Sequence, residues 1–235
     1  MMRLHALVIL VAGCGGGGSS DNGLVDAPVG SGTITITLTG KAEELSIAGA
    51  VPVQGVLVEA FLNAAETTPI VSTMTNASGD YTLVVEATGA LDGFVKATKA
   101  GLVTTYLYPP KPLAADFAGA ALKMVSPTNF GLLSNTLCGA TQDAAKGTIA
   151  VVVSDAAGMA VAGAAVASTP AASKYCYNAN GVPNRNATGT DVDGVGYMFN
   201  VDGAVSVAAT KAGATFVSHR LTARAGALTT TLVAP

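Results

Sequence analysis

The chain repeats itself. Gly32-Thr33-Ile34 recurs as Gly147-Thr148-Ile149, and Ala97-Thr98-Lys99-Ala100-Gly101 recurs letter for letter as Ala209-Thr210-Lys211-Ala212-Gly213. Between these anchors, Val53-Gln54-Gly55-Val56-Leu57-Val58 answers to Val161-Ala162-Gly163-Ala164-Ala165-Val166, and Thr75 with Tyr81 answers to Thr190 with Tyr197. Val125-Ser126-Pro127 answers in turn to Val233-Ala234-Pro235. Matches that keep one order at a nearly constant offset mark an internal duplication. A chain of 235 residues then divides into two units of roughly 100 residues, each large enough for a core of its own.

Within each copy the side-chain period is two. Thr33-Ile34-Thr35-Ile36-Thr37-Leu38-Thr39 places Ile34, Ile36 and Leu38 on one face of a strand and the threonines on the other. Val56 to Phe61, Tyr81 to Val85, Phe94 to Thr98, Val103 to Tyr108 and Leu122 to Val125 read as further strands. The second copy supplies Ile149 to Val153, Val205 to Thr210 and Thr229 to Val233. Turn chemistry separates them: Asn76-Ala77-Ser78-Gly79-Asp80, Asp191-Val192-Asp193-Gly194 and the two Lys-Ala-Gly hairpins. Short strands, frequent turns and no amphipathic helix argue for an all-β sandwich.

These positions resemble the carboxypeptidase regulatory-like domain, a small transthyretin-like (prealbumin-like) sandwich. The matching residues are Pro52-Val53-Gln54-Gly55 with Val58, Thr75 to Tyr81, and Val95 to Gly101. The second copy matches through Val161-Ala162-Gly163-Ala164 with Val166, Thr190 to Tyr197, and Val207 to Gly213. It departs from the pattern where Ala160 replaces the Pro, and the first copy departs where Asp80 intrudes before Tyr81. The resemblance implies two tandem Ig-like/transthyretin-like Greek-key β-sandwich domains of about seven strands each. Their expected spans are 31–127 and 147–235, with a linker over 128–146 and a packed turn around Phe130, Leu132 and Leu133. Such motifs are framework positions and specify a fold, not an activity.

The amino-terminal residues read as an address. Met1-Met2-Arg3 is a short basic region, and Leu4 to Val11 is an apolar run shorter than the roughly 20 residues of a spanning helix. It ends in Val11-Ala12-Gly13-Cys14, which resembles the lipobox of bacterial lipoproteins. The resemblance implies cleavage of a signal peptide over 1–13, lipidation of Cys14 with palmitate-class acyl chains, and attachment to a membrane. Residues 14–30, rich in Gly and Ser, then read as a flexible tether. No Asp follows Cys14, so by the enterobacterial sorting pattern the expected location is the outer membrane or cell surface.

Charge excludes one class of partner. Only 11% of residues are charged and the formal net charge is -3, so no basic surface is available to attract a phosphate backbone, and nucleic acid is not expected. Export implies an oxidising compartment, where Cys138 and Cys176 would form a disulfide; two buried free thiols are the other state.

The chemistry-bearing residues do not assemble a catalytic set. One His, His219, remains after the leader, no Gly-x-Ser-x-Gly elbow is present, and zinc ligands are lacking. Intradiol dioxygenases and transthyretin-like hydrolases, which share related sandwiches, each need more histidines than one. His219, in Ser218-His219-Arg220, reads as a solvated side chain. Asp191 and Asp193 could open a calcium loop, but the spacing lacks the remaining ligands, so a turn is expected and neither metal nor cofactor. A Lys-to-Asn crosslink of the kind found in related adhesin sandwiches would need an Asn on a last strand, and neither last strand carries one. Asn76-Ala77-Ser78 and Asn186-Ala187-Thr188 match the glycosylation pattern and read as turns.

The segment from Thr169 to Ala187 has no counterpart in the first copy. Read as a loop on a rigid sandwich, it presents Tyr175, Tyr177, Asn178, Asn180, Asn184 and Arg185, side chains able to stack on and hydrogen-bond a sugar or peptide. The expected function is a non-catalytic, envelope-anchored spacer or binding module with a protein or glycan partner at the cell surface. The alternative is an accessory or degenerate relative of a secreted peptidase or hydrolase, since the resembling domain often accompanies peptidases. The sequence leaves the oligomeric state open.

Overall fold

Alternation of β-branched and aliphatic residues builds strands throughout the described residues, 33–46 and 49–235, of this computed structural model. The leader, Cys14 and the Gly/Ser segment lie outside them. The first module contains β1 (Ile34–Ser46), β2 (Gly49–Pro52), β3 (Leu57–Leu62), β4 (Val71–Met74), β5 (Asp80–Ala87), β6 (Gly93–Thr98), β7 (Thr105–Tyr108), β8 (Phe117–Ala118) and β9 (Leu122–Met124). A five-residue helix α1 (Pro127–Gly131), capped by the Ser126 side chain, runs into a π-helical turn, Leu132–Leu137. The second module contains β10 (Gly147–Val153), β11 (Ala165–Thr169), β12 (Lys174–Ala179), β13 (Val182–Asn184), β14 (Val195–Val201), β15 (Gly203–Thr210), β16 (His219–Ala223) and β17 (Leu228–Val233). The count of nine and eight strands exceeds the seven per copy that sequence periodicity suggests, because β2, β4, β8 and β13 are too short to show a period.

Each module closes its core between two sheets. In the first, β1 pairs antiparallel with β5 along Ile34–Lys41, then turns its distal half to pair with β2 and, in parallel, with β9. Ile36, Leu38, Leu83, Val85 and Leu122 from that sheet bury against Val58, Ala60, Val95 and Leu107 from β3, β6 and β7. In the second, Ile149, Val151, Val153 and Met198 bury against Val166, Val205, Val207 and Leu221 of the three-stranded sheet β11-β15-β16. In both modules the first strand lies parallel to the last: β1 beside β9 and β10 beside β17.

The repeated sequence anchors are repeated hydrogen bonds. The Thr75 hydroxyl donates to the Val53 carbonyl at 2.6 Å and accepts from the Val56 N–H at 2.9 Å. The Thr190 hydroxyl donates to the Val161 carbonyl at 2.6 Å and accepts from the Ala164 N–H at 2.9 Å. Gly79 (φ +78) and Gly194 (φ +69) occupy one turn position, and an added Cβ would lie 2.5 Å from the Ala42 or Val153 carbonyl oxygen respectively. Only glycine allows both the left-handed backbone and that approach.

The modules are not separate beads. β7 pairs in parallel with β17, Thr105 to Tyr108 against Leu228 to Thr231, and this joins one sheet of each module into a nine-stranded sheet, β13-β12-β14-β10-β17-β7-β6-β3-β4. Its second-module half is covered on both faces. One face meets the three-stranded sheet, and the other is covered by Phe130, Leu133, Cys138 and Ala140 of the segment between the modules. That explains why every residue of β10 and β17 is buried; strands covered on both sides need no polar face. The stretch 128–146 therefore packs as a cover over the sheet in addition to connecting two units.

Replacing Thr75 or Thr190 by Val keeps the shape, removes one donor and one acceptor, and leaves a buried N–H and carbonyl without their partner. Each substitution is expected to cost about 1–3 kcal/mol, read as a lower urea midpoint, with the two effects similar because the bonds they break are the same.

Candidate functional site

The segment Thr169 to Ala187 is not a loop. Lys174–Ala179 and Val182–Asn184 form a hairpin, turned at Asn180 (φ 55) and Gly181 (φ 75), which lays β12 along β14 with Cys176 opposite Tyr197. Two central residues with positive φ match a type I′ turn, for which Asn-Gly is the preferred pair.

The candidate binding residues are correspondingly redirected. Tyr177 is buried, and its hydroxyl accepts the Val166 N–H at 3.0 Å. The Tyr175 hydroxyl accepts from the N–H groups of Ser168 (3.3 Å) and Ala172 (3.2 Å). Asn178, 2% exposed, donates through Nδ2 to Asp193 Oδ2 at 2.7 Å. Arg185 donates to the Thr136 carbonyl, tying the hairpin to the π-helical turn. Asn184 accepts the Asn186 N–H at 2.9 Å in a local turn, and Asn180 donates its N–H to Asp191 Oδ2 at 2.5 Å. The structure thus corrects the picture of a ligand-facing loop: Tyr175, Tyr177 and Asn178 point into the fold, while Asn180, Asn184 and Arg185 remain exposed, Arg185 bound to the neighbouring turn.

Asp191 and Asp193 shape a turn. The Asp191 carbonyl accepts the Gly194 N–H at 2.9 Å, and Asp193 Oδ1 accepts the Val195 N–H at 3.0 Å. Beside them Tyr197 is fully buried, and loss of solvent pushes its phenol well above the ordinary range, with the Asp193 carboxylate adding to the shift. Among the described residues no group of three or more His, Cys, Asp or Glu side chains converges. Asn76 and Asn186 also lie in turns, Asn76 Oδ1 accepting the N–H groups of Ser78 and Asp80 at 2.9 Å each.

Cys138 and Cys176 form a disulfide with their Cα atoms 5.6 Å apart, closing a span of 38 residues. Both are fully buried beneath Phe130 and Leu133. The bond fastens the covering segment to β12 and so holds both against the sheet.

Aromatic rings and a charged pair meet at the junction of the modules, at positions that the repeated motifs do not mark. Phe61 stacks on Phe94 at 5.2 Å, and Phe94 stacks on Tyr108 at 5.0 Å. The Arg224 guanidinium lies 4.2 Å from the Tyr106 ring centroid and 4.5 Å from that of Phe94. It donates to Tyr108 Oη at 3.0 Å and to Glu66 Oε2 at 2.8 Å. A planar cation held face-on by rings and edge-on by a carboxylate is an arrangement that Arg makes and Lys does not. The one available signal was Tyr106-Leu107-Tyr108, which places aromatic rings on the face a solvated edge strand would make polar.

His219 belongs to this junction, which corrects its reading as a solvated side chain. It is half-buried, meets Tyr108 edge-on at 6.3 Å, and has Nδ1 at 2.6 Å from Thr231 Oγ1. The Thr231 hydroxyl donates to the Tyr108 carbonyl at 3.1 Å, so it accepts from His219, whose neutral ring carries its proton on Nδ1. Burial holds the imidazole below its ordinary range, and the Asp92 carboxylate opposes that shift.

No family model and no curated protein matches the chain. Among solved structures, the chain is similar to the shaft pilin SpaA from Lactobacillus rhamnosus GG, at 13% identity and a TM-score of 0.28, over 86% of this chain and 98% of that one. The minor pilin GBS52 of Streptococcus agalactiae gives 12% identity and a TM-score of 0.27, over 85% and 94%. The Bacillus anthracis TIE protein gives 12% and 0.27 over 85% of this chain, which spans about a third (34%) of that chain's length.

Breaking the disulfide by replacing Cys138 and Cys176 with Ala is expected to destabilise the protein by about 4 kcal/mol on the chain-entropy model, measured as the difference in denaturant unfolding between the two proteins. His219 makes a second prediction. Its folded-state affinity for protons is below that of the unfolded chain, so its contribution is intact above about pH 6.5, the ordinary imidazole value, and is lost as pH falls below that. The thermal midpoint should therefore drop between pH 7 and pH 5, and the drop should be shallower in His219→Gln.

Proposed function

We propose that the protein is a non-catalytic spacer of the bacterial envelope, anchored through a lipidated Cys14, in which the two sandwiches act as one stiff body. The observation that carries this reading is the strand pairing of β7 with β17, backed by the Phe61, Phe94 and Tyr108 side chains that enter the second module's core. Two units joined only by a linker would reorient freely. Units sharing a sheet and an aromatic junction transmit position from one end to the other, which is what a spacer or display module requires.

The polar side chains point the same way. Tyr175, Tyr177, Asn178, Asp191, Asp193 and His219 hold strands and turns together. His219 in particular donates to the buried Thr231 hydroxyl, whose own proton is committed to the Tyr108 carbonyl and not held by a base. Among the described residues no helix is long and apolar enough to cross a membrane. Attachment in this reading rests on the leader and on Val11-Ala12-Gly13-Cys14, with the outer membrane or cell surface as the proposed location. A protein or glycan at the surface is the proposed partner class.

The test is expression of the full chain in a diderm bacterium fed a clickable palmitate analogue. The wild type should take up label and sediment with the outer membrane, and Cys14→Ser should lose both. An unlabelled wild type that partitions with soluble protein would remove the anchor. Hydrolysis of a peptide or ester panel by the purified protein would remove the non-catalytic reading.

A further inference from the structure

The duplication offers an internal comparison of sheet edges. In the second module β14 is flanked on both sides, by β10 and by β12. Its counterpart by the Thr-to-Tyr match, β5, pairs with β1 and, among the described residues, with no second strand. The hairpin that covers this edge in one module has no equivalent in the other.

β5 is also unprotected. Free sheet edges are ordinarily kept short, or carry Pro, Lys or a bulge. β13 is three residues long and contains Pro183; β4 has four residues and β11 has five, followed by Pro170. By contrast β5 is eight residues, Asp-Tyr-Thr-Leu-Val-Val-Glu-Ala, with no Pro, Gly or Lys and an unbroken register along β1. Val84 at its middle is 52% exposed, and the adjacent β4 region adds Ile70 at 41% and Met74 at 58%. Three of the seven large apolar side chains that are exposed among the described residues thus gather at this one edge.

We propose that β5 pairs antiparallel with β5 of a second copy of this chain, making a two-fold dimer whose sheets run continuously through the dyad. Side chains opposite one another across strands share a face, so a self-pairing β5 must centre on a residue and not between two. Centring on Leu83 would set Asp80 against Glu86 twice, a like-charge clash at both ends. Centring on Val84 sets Val84 against its own copy, Thr82 against Glu86, Leu83 against Val85, and Tyr81 against Ala87. That register buries the exposed valine at the axis, continues the buried row of Tyr81, Leu83 and Val85, and opposes no like charges. A two-fold axis also brings the two Ile70 and Met74 patches to the same side of the joint, as an isologous interface requires.

The test uses the full chain in a Cys14→Ser background, so that the remaining native cysteines are those of the Cys138–Cys176 disulfide. Under mild oxidation Val84→Cys should form a covalent dimer, while Val217→Cys, equally open at 65% exposure on the second module, should not. In sedimentation across a concentration series the parent should show a monomer–dimer equilibrium. Val84→Lys should stay monomeric with an unchanged thermal midpoint. A parent that is monomeric throughout, equal crosslinking at positions 84 and 217, or dimers that survive Val84→Lys would each overturn the proposal.

Discussion

Four residues of β7 lying parallel to four residues of β17 decide most of what is distinctive in this molecule. Parallel pairs are most stable when both faces of the sheet are covered, and here the requirement is met by different material on each side. The three-stranded sheet of the second module covers one face, and α1 with the π-helical turn covers the other. From that follow the fully buried β10, the buried threonines of β17 and the placement of the disulfide beneath Phe130. The Thr230 and Thr231 hydroxyls donate to the carbonyls of Tyr106 and Tyr108, so polar side chains in a doubly covered strand are used to bind the neighbouring module.

The joint is asymmetric with respect to the duplication. β7 belongs to the first module's β4-β3-β6-β7 sheet, whereas β17 belongs to the second module's sheet that also contains β10. Two copies of one fold thus meet through non-equivalent edges. Arg224 and Glu66 close over Phe94 and Tyr106 at that point. A cation is able to replace apolar cover here because rings, a hydroxyl and a carboxylate all receive it.

What could be read in the sequence was local, and what escaped was long-range. The threonines at 75 and 190 and the glycines at 79 and 194 are legible because their partners lie in the neighbouring turn and first strand of the same module. The repeat made them visible twice. Residues 174–184 carried a hairpin signal in Asn180-Gly181, but with no counterpart in the first copy they resembled an insertion, and tyrosines in an insertion suggest a ligand. Their hydroxyls instead meet backbone N–H groups of residues 166, 168 and 172. His219 and Arg224 could not be placed from their neighbours at all, because the residues that bury them, Tyr108 and Phe94, lie more than a hundred positions earlier.

The position of β17 has a consequence for how such a protein is made. It follows all sixteen other described strands in chain order, yet it fills the slot between β10 and β7 near the middle of the widest sheet. A chain synthesised amino end first would present two half-finished sheets with open borders until residues 228–233 arrived. Wrong neighbours would compete for the vacant slot chiefly in that interval, and a truncation removing only residues 228–233 would leave both β10 and β7 with an open border.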